Sequence, residues 1–126
     1  DRRMGIDYDL WLRFSTQYEF DYVDRPLLCY RLWAGQMSKN YKGRYLNGIE
    51  IMKSFLQEFP GVIDKNTENE AWAHTYVGFG KCVQDIDRRR GQALRLFLRA
   101  LFHKPRYLPA WKSIVKSILN WNQGEM

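Results

Sequence analysis

No apolar run in this chain approaches the ~20 residues needed to cross a bilayer, and no basic-then-apolar leader opens it. It starts Asp1-Arg2-Arg3 and passes directly into a patterned segment, as a piece excised from a longer protein would. Cysteine is scarce. Cys29 and Cys82 stand far apart and match no metal-ligand spacing, so two buried free thiols in a cytoplasmic chain are expected, with a disulfide left open by sequence alone. No glycine-rich phosphate loop is present, because Gly78-Phe79-Gly80 falls inside a helical pattern where small residues permit close packing. No serine-centred nucleophile motif appears. His74 and His103 are isolated on helices, without a Cys or carboxylate at ligand spacing, and read as solvated or packing residues.

Acidic residues are nearly missing from the last third. Residues 87–126 hold nine Lys or Arg against Asp87 and Glu125, whereas the first 86 residues carry 11 basic and 12 acidic groups. The whole net charge of +6 therefore comes from the C-terminal third. Such a patch attracts acidic partners or anionic lipid, or forms a solvated helix face. It does not have the form of a nucleic-acid site, since its aromatics fall on apolar helix stripes rather than on an exposed sheet, and no nucleic acid is expected as a partner.

What is there suffices for a core. Hydrophobic residues make up 45% and aromatic residues 16% of the 126, well above the composition of disordered segments. The expected fold is mainly α with a short β-hairpin. A helix runs from Asp7 to about Gln17, with Leu10, Trp11 and Phe14 at helical spacing and two acids in its first turn. Taken alone, Asp7 reads as its N-cap and Asp9 as a first-turn acid. Phe20–Val23 and Leu27–Tyr30 are short aromatic-rich runs parted by Asp24-Arg25-Pro26, which predicts a hairpin, and Trp33–Ser38 forms a loop.

Four helices follow. The first starts at Lys42, carries Leu46, Ile49, Met52, Phe55, Leu56 and Phe59 on one face, and stops before Pro60-Gly61. A second starts near Thr67, where Thr67 and Glu70 have the spacing of a capping box, and continues through Trp72, Tyr76, Phe79 and Val83. A third spans about Gly91–His103 on Ala93, Leu94, Phe97, Ala100 and Leu101. A fourth spans about Leu108–Trp121, with Trp111, Ile114, Val115, Ile118 and Leu119 on one face. Ala93, Phe97, Ala100 and Pro105 have the second-helix spacing of a tetratricopeptide repeat, and Trp111 stands where the next repeat would place its Trp. Gly78 and Gly80 are out of register, offset by Arg88-Arg89-Arg90, so one and a half degenerate repeats at most are present. The last helix, with Tyr107, Trp111, Lys112, Lys116 and Trp121, also suits a membrane interface, packing on the preceding helices being the competing expectation.

The order of acid pair, helix, hairpin, Tyr30-Arg31 and loop resembles the C-terminal end of the catalytic domain of family 2 glycosyltransferases, which have the GT-A fold. The resemblance covers residues 5–38 closely and 42–121 loosely. It implies a C-terminal fragment of an α/β GT-A domain (residues 1–41, the acceptor side) followed by a four-helix extension (residues 42–126). In this family a carboxylate serves as general base for the acceptor hydroxyl as a nucleoside diphosphate leaves the sugar. Carried over by position, Asp7 is that base. Asp9 is the second Asp, Leu10-Trp11-Leu12-Arg13 completes the signature, and Asp9 and Trp11 fall on the acceptor side.

Arg31, Gln36 and Ser38 match the residues that face the donor diphosphate. Two departures stand out: Ile6 occupies the position of a Glu that helps hold the acceptor, and Trp33 that of a His that completes a divalent metal site. An indole cannot ligate Mg²⁺ or Mn²⁺. Any such metal would thus be held in the full-length enzyme by other groups, with none bound to this stretch. The resemblance implies transfer of a sugar from a nucleotide-sugar donor to a saccharide or lipid-linked acceptor during surface polysaccharide synthesis, at the cytoplasmic side of a membrane that the basic helices touch peripherally. The fragment alone would be inactive. The alternative is a helical interaction module for a partner protein or an anionic membrane surface.

Overall fold

Gly5 sets the start of the first helix, α1 (Ile6–Phe14), from a left-handed conformation (φ 83°) that an L side chain rarely adopts. The computed structural model describes residues 5–36 and 39–121, the side chains of Asn120 and Trp121 excepted, and holds five helices among them. The others are α2 (Tyr41–Glu58), α3 (Lys65–Asp85), α4 (Arg90–His103) and α5 (Leu108–Trp121). No described helix is long and apolar enough to cross a membrane. The chain divides into two compact units, residues 1–62 and 63–126.

In the first unit α1 stops three residues before the expected Gln17. The Ser15 hydroxyl donates to the Leu12 carbonyl (2.7 Å) and the Thr16 hydroxyl to the Arg13 carbonyl (2.8 Å), local bonds that compete with further helix. No residue of α1 is fully buried. The predicted hairpin is not formed: among the described residues there is no strand. A two-stranded ribbon without a sheet or helix to cover it is marginal, and Pro26 removes a ladder donor. The chain turns instead through an Arg25 N–H to Val23 carbonyl bond of 2.8 Å, a three-residue turn too tight to set two strands in register. Cys29, expected buried in a strand, is exposed, and both cysteines are free.

Helix α2 is capped by Asn40, whose side chain accepts from the Gly43 N–H at 3.0 Å, and it ends at Glu58, ahead of Pro60. Ile49, Met52 and Phe55 are buried as expected and Leu56 and Phe59 half-buried. Leu46 is exposed, and Ile51 joins the core instead. Gly5 approaches Ile51 closely: a Cβ at Gly5 would stand 3.1 Å from Ile51 Cδ1.

The second unit is a helical hairpin with a third helix laid on it. The N-cap of α3 is Asp64, not Thr67. Asp64 accepts from the Thr67 N–H (3.0 Å) and hydroxyl (2.5 Å), while Glu70 leaves the expected capping box to bind Lys104 (2.5 Å). Asp outranks Thr as a cap, so the earlier residue wins the helix start. The reversal into α4 passes through Arg88 in the left-handed region (φ 59°).

Trp72, Ala73, Val77, Gly80 and Val83 of α3 meet Ala93, Phe97 and Ala100 of α4, and the last three are fully buried. The glycine offset in the repeat pattern does not stop Gly80 and Phe97 from touching. Helix α5 packs on α4 and α3 through Ala110, Ser113 and Ser117, with the Ser117 hydroxyl bonded to the Gln84 side chain.

Candidate functional site

The first turn of α1 carries both candidate carboxylates. Because Gly5 occupies the cap position, Asp7 lies within the helix and caps nothing. It is exposed, and its carboxylate has no partner among the described residues. Asp9 is two residues on, about 200° around the helix, and half-buried. Its buried Oδ1 lies 3.5 Å from Arg13 Nε, an ion pair without a hydrogen bond. The two acids therefore point different ways: Asp7 is open to an incoming group, and Asp9 orients an arginine.

Arg13 forks onto Glu58 of α2, Nη1 to Oε1 at 2.6 Å and Nη2 to Oε2 at 2.8 Å, with its guanidinium 5.9 Å from the Phe59 ring centroid. These hydrogen bonds raise the Arg13 pKa further above its usual value and hold Glu58 below the usual carboxylate range. The last residue of the Asp-Leu-Trp-Leu-Arg signature is thus a clamp between helices. Glu58 went unnoticed in sequence because it lies 45 residues from its partner and belongs to no local pattern.

Trp11, a predicted acceptor contact, is half-exposed at the edge of an aromatic cluster, 5.9 Å from both Phe14 and Phe20 in edge-to-face geometry. Of the three donor-side residues, Gln36 and Arg31 are described. Gln36 is half-buried in its own loop, where Oε1 accepts from the Trp33 N–H (3.0 Å) and Nε2 donates to the Tyr30 hydroxyl (3.5 Å). Arg31 is exposed with no ion-pair partner among the described residues. Ser38 lies outside the described residues. The Trp33 ring covers Gly35 so closely that a Cβ there would stand 2.3 Å from Cζ3, yet the side chain remains 60% exposed. Its large apolar face is presented to solvent beside a glycine turn.

The described residues contain no group of three His, Cys, Asp or Glu side chains placed to hold a metal ion, and the indole of Trp33 has no lone pair to give.

Between Phe14 and Gly35 the chain exposes nine large apolar side chains. Tyr18, Phe20, Tyr22, Val23, Leu27, Leu28, Tyr30, Leu32 and Trp33 are each more than half accessible. Scattered exposed apolar residues are ordinary, but a run this dense marks a surface made to be covered.

No family model, curated protein or solved structure gives a significant match to this chain.

Proposed function

We propose that this chain is the acceptor-side end of an inverting, family 2-like glycosyltransferase with the GT-A fold. The intact enzyme moves a sugar from a nucleotide-sugar to a saccharide or lipid-linked acceptor. The observation that carries the reading is Asp7: an exposed carboxylate, without a partner among the described residues, in the first turn of the helix that continues Leu10-Trp11-Leu12-Arg13. A general base needs a free lone pair and a position on an ordered element, and an exposed carboxylate on a helix supports that reading. The dense apolar run from Tyr18 to Trp33 supports the same reading, since it has the composition of sheet strands and lies uncovered.

Asp7 accepts the hydroxyl proton as the acceptor oxygen bonds to the anomeric carbon, and Arg31 offers positive charge to the departing diphosphate. Residues that hold the nucleotide, and any Mg²⁺ or Mn²⁺, belong to the preceding part of the enzyme, so the 126-residue piece turns nothing over by itself. The test is Asp7→Asn in the intact protein. Turnover should fall by about 10²–10⁴-fold, the usual contribution of a general base, and unchanged turnover would refute the assignment.

The alternative, a helical interaction module, concerns residues 63–126 and is compatible with the enzyme. It is favoured by one feature, the outward face of α5.

A further inference from the structure

Helix α5 is packed with its small residues inward. Ala110, Ser113 and Ser117 are buried, while Leu108, Trp111, Val115, Ile118 and Leu119 are 49–67% exposed. At about 100° per residue, the five exposed apolar residues fall within roughly a 100° arc and the three buried ones on the opposite side. Lys112 and Lys116 continue the apolar arc along one flank.

The exposed stripe borders an open depression of about 390 Å³ lined by Trp111, Lys112, Val115, Lys116 and Leu119. A second depression, of about 280 Å³, shares both lysines and adds Lys81 of α3. None of the three lysines has a carboxylate partner among the described residues. The indole N–H of Trp111 is already satisfied, donating to the Pro105 carbonyl at 2.8 Å, so the exposed ring presents an apolar surface.

From this face we infer that α5 docks the protein on an anionic lipid surface, lying parallel to it. Trp111, Val115, Ile118 and Leu119 would enter the headgroup–acyl boundary while Lys112, Lys116 and Lys81 meet lipid phosphates. Charge decides among occupants. A second copy seated on the same face would bring Lys112 and Lys116 of both chains together, and residues 88–121 contain no Asp or Glu to offset them. An anionic bilayer satisfies both halves of the surface at once, taking the apolar arc into its boundary layer and the lysines to its charge. At 14 residues α5 is too short to span. The inference does not rest on the transferase reading.

The test is co-sedimentation of the full 126-residue chain with phosphatidylcholine vesicles, with and without phosphatidylglycerol. Two double variants are compared at exposed positions, Val115→Asp/Leu119→Asp and Lys112→Glu/Lys116→Glu, each with its helical circular dichroism and melting curve as a folding control. Wild type should bind only the anionic vesicles, and each variant should lose at least about tenfold in partitioning. Added salt should weaken wild-type binding without abolishing it, because the apolar contact persists.

Failure of wild type to bind anionic vesicles at low salt would overturn the inference. So would binding that the Val115→Asp/Leu119→Asp variant retains. Sedimentation that reveals a dimer lost in the same variant would assign the face to self-association instead. Equal affinity for polyglutamate, with the same dependence on both variants and no vesicle binding, would assign it to an acidic protein.

Discussion

Phe97 closes directly on Gly80: a Cβ at Gly80 would stand 2.5 Å from Phe97 Cε1 and 2.8 Å from Cδ1. Both residues are buried, Phe97 completely, and they set how closely α3 and α4 cross. Gly80→Ala gains about 1 kcal/mol of helix propensity but forces a fully buried ring to move, an overpacking penalty of ~1–3 kcal/mol. A net loss of about 1 kcal/mol is expected in denaturant unfolding. In a Phe97→Leu background, where the ring edge is gone, the added methyl group should destabilise much less. Equal penalties in the two backgrounds would show that the contact does not set the packing.

Asp64 and Thr67 make a second local test. The Thr67 hydroxyl and N–H both donate to Asp64 and hold its carboxyl below the usual carboxylate range. A depressed folded-state pKa contributes stability that is present above the unfolded value and lost as pH falls through the folded one. Asp64→Asn keeps a side-chain acceptor for the cap but removes the titration. The variant should therefore show a shallower loss of melting temperature in the acid limb below about pH 4. Asp64→Ala should lower stability at neutral pH as well. If Thr67→Ala alone reproduced the Asp64→Ala loss, the capping box expected at Thr67 would be the real helix start.

These cases show what the sequence could disclose. Helix α5 was legible to the residue because Pro105 stops α4 and a strong apolar period restarts at Leu108. Its orientation was not. Ala110-Ser113-Ser117 and Trp111-Val115-Ile118 are both regular stripes, and periodicity alone does not say which one meets a neighbour. The greater bulk of the apolar stripe favours the core, yet it is Ala110, Ser113 and Ser117 that are buried and Trp111, Val115 and Ile118 that are exposed.

The candidate site divides the same way. Asp7 and its helix follow from adjacent residues. The Glu58 clamp depends on how two helices meet, and the predicted hairpin depends on strands that residues 19–33 cannot pair by themselves.

His103 gives a prediction for mildly acid pH. Its ring stacks on Trp72 (5.7 Å between centroids) and Tyr76 (5.6 Å), with Phe102 edge-on at 5.7 Å. Burial, and then the charge of Lys65, push its pKa down, while Glu68 opposes weakly. Arg99 lies 5.9 Å from the Tyr76 ring and the Lys104–Glu70 pair adjoins, so the surroundings gain little from a further positive charge. The folded state therefore binds this proton less readily than the unfolded one. The stabilisation is complete above about pH 6.5, the unfolded value, and is lost as pH falls through the folded one. The melting temperature should fall between about pH 7 and pH 5 in wild type and stay flatter in His103→Phe, which keeps an aromatic ring in the stack. An NMR titration of the His103 ring with a midpoint at or above the unfolded value would refute this.

The Arg13–Glu58 fork is where stability and the proposed chemistry meet. Its two hydrogen bonds tie α1, which buries no residue fully, to α2. Both side chains are solvent-accessible, so the pair is screened, and its coupling in a double-mutant cycle of Arg13→Ala and Glu58→Ala should shrink as salt is raised. Glu58 is held below its usual range, so its share is present at neutral pH and lost as acid protonates it. Glu58→Gln should remove that acid dependence.

The consequence for catalysis follows from position. Asp7 is mounted on α1, so under the proposed reading loosening α1 misplaces the carboxylate without removing it. In the intact enzyme, Glu58→Gln should therefore lower kcat by less than Asp7→Asn does. A Glu58→Gln variant as inactive as Asp7→Asn would mean that the clamp, and not the carboxylate of Asp7, carries the reaction.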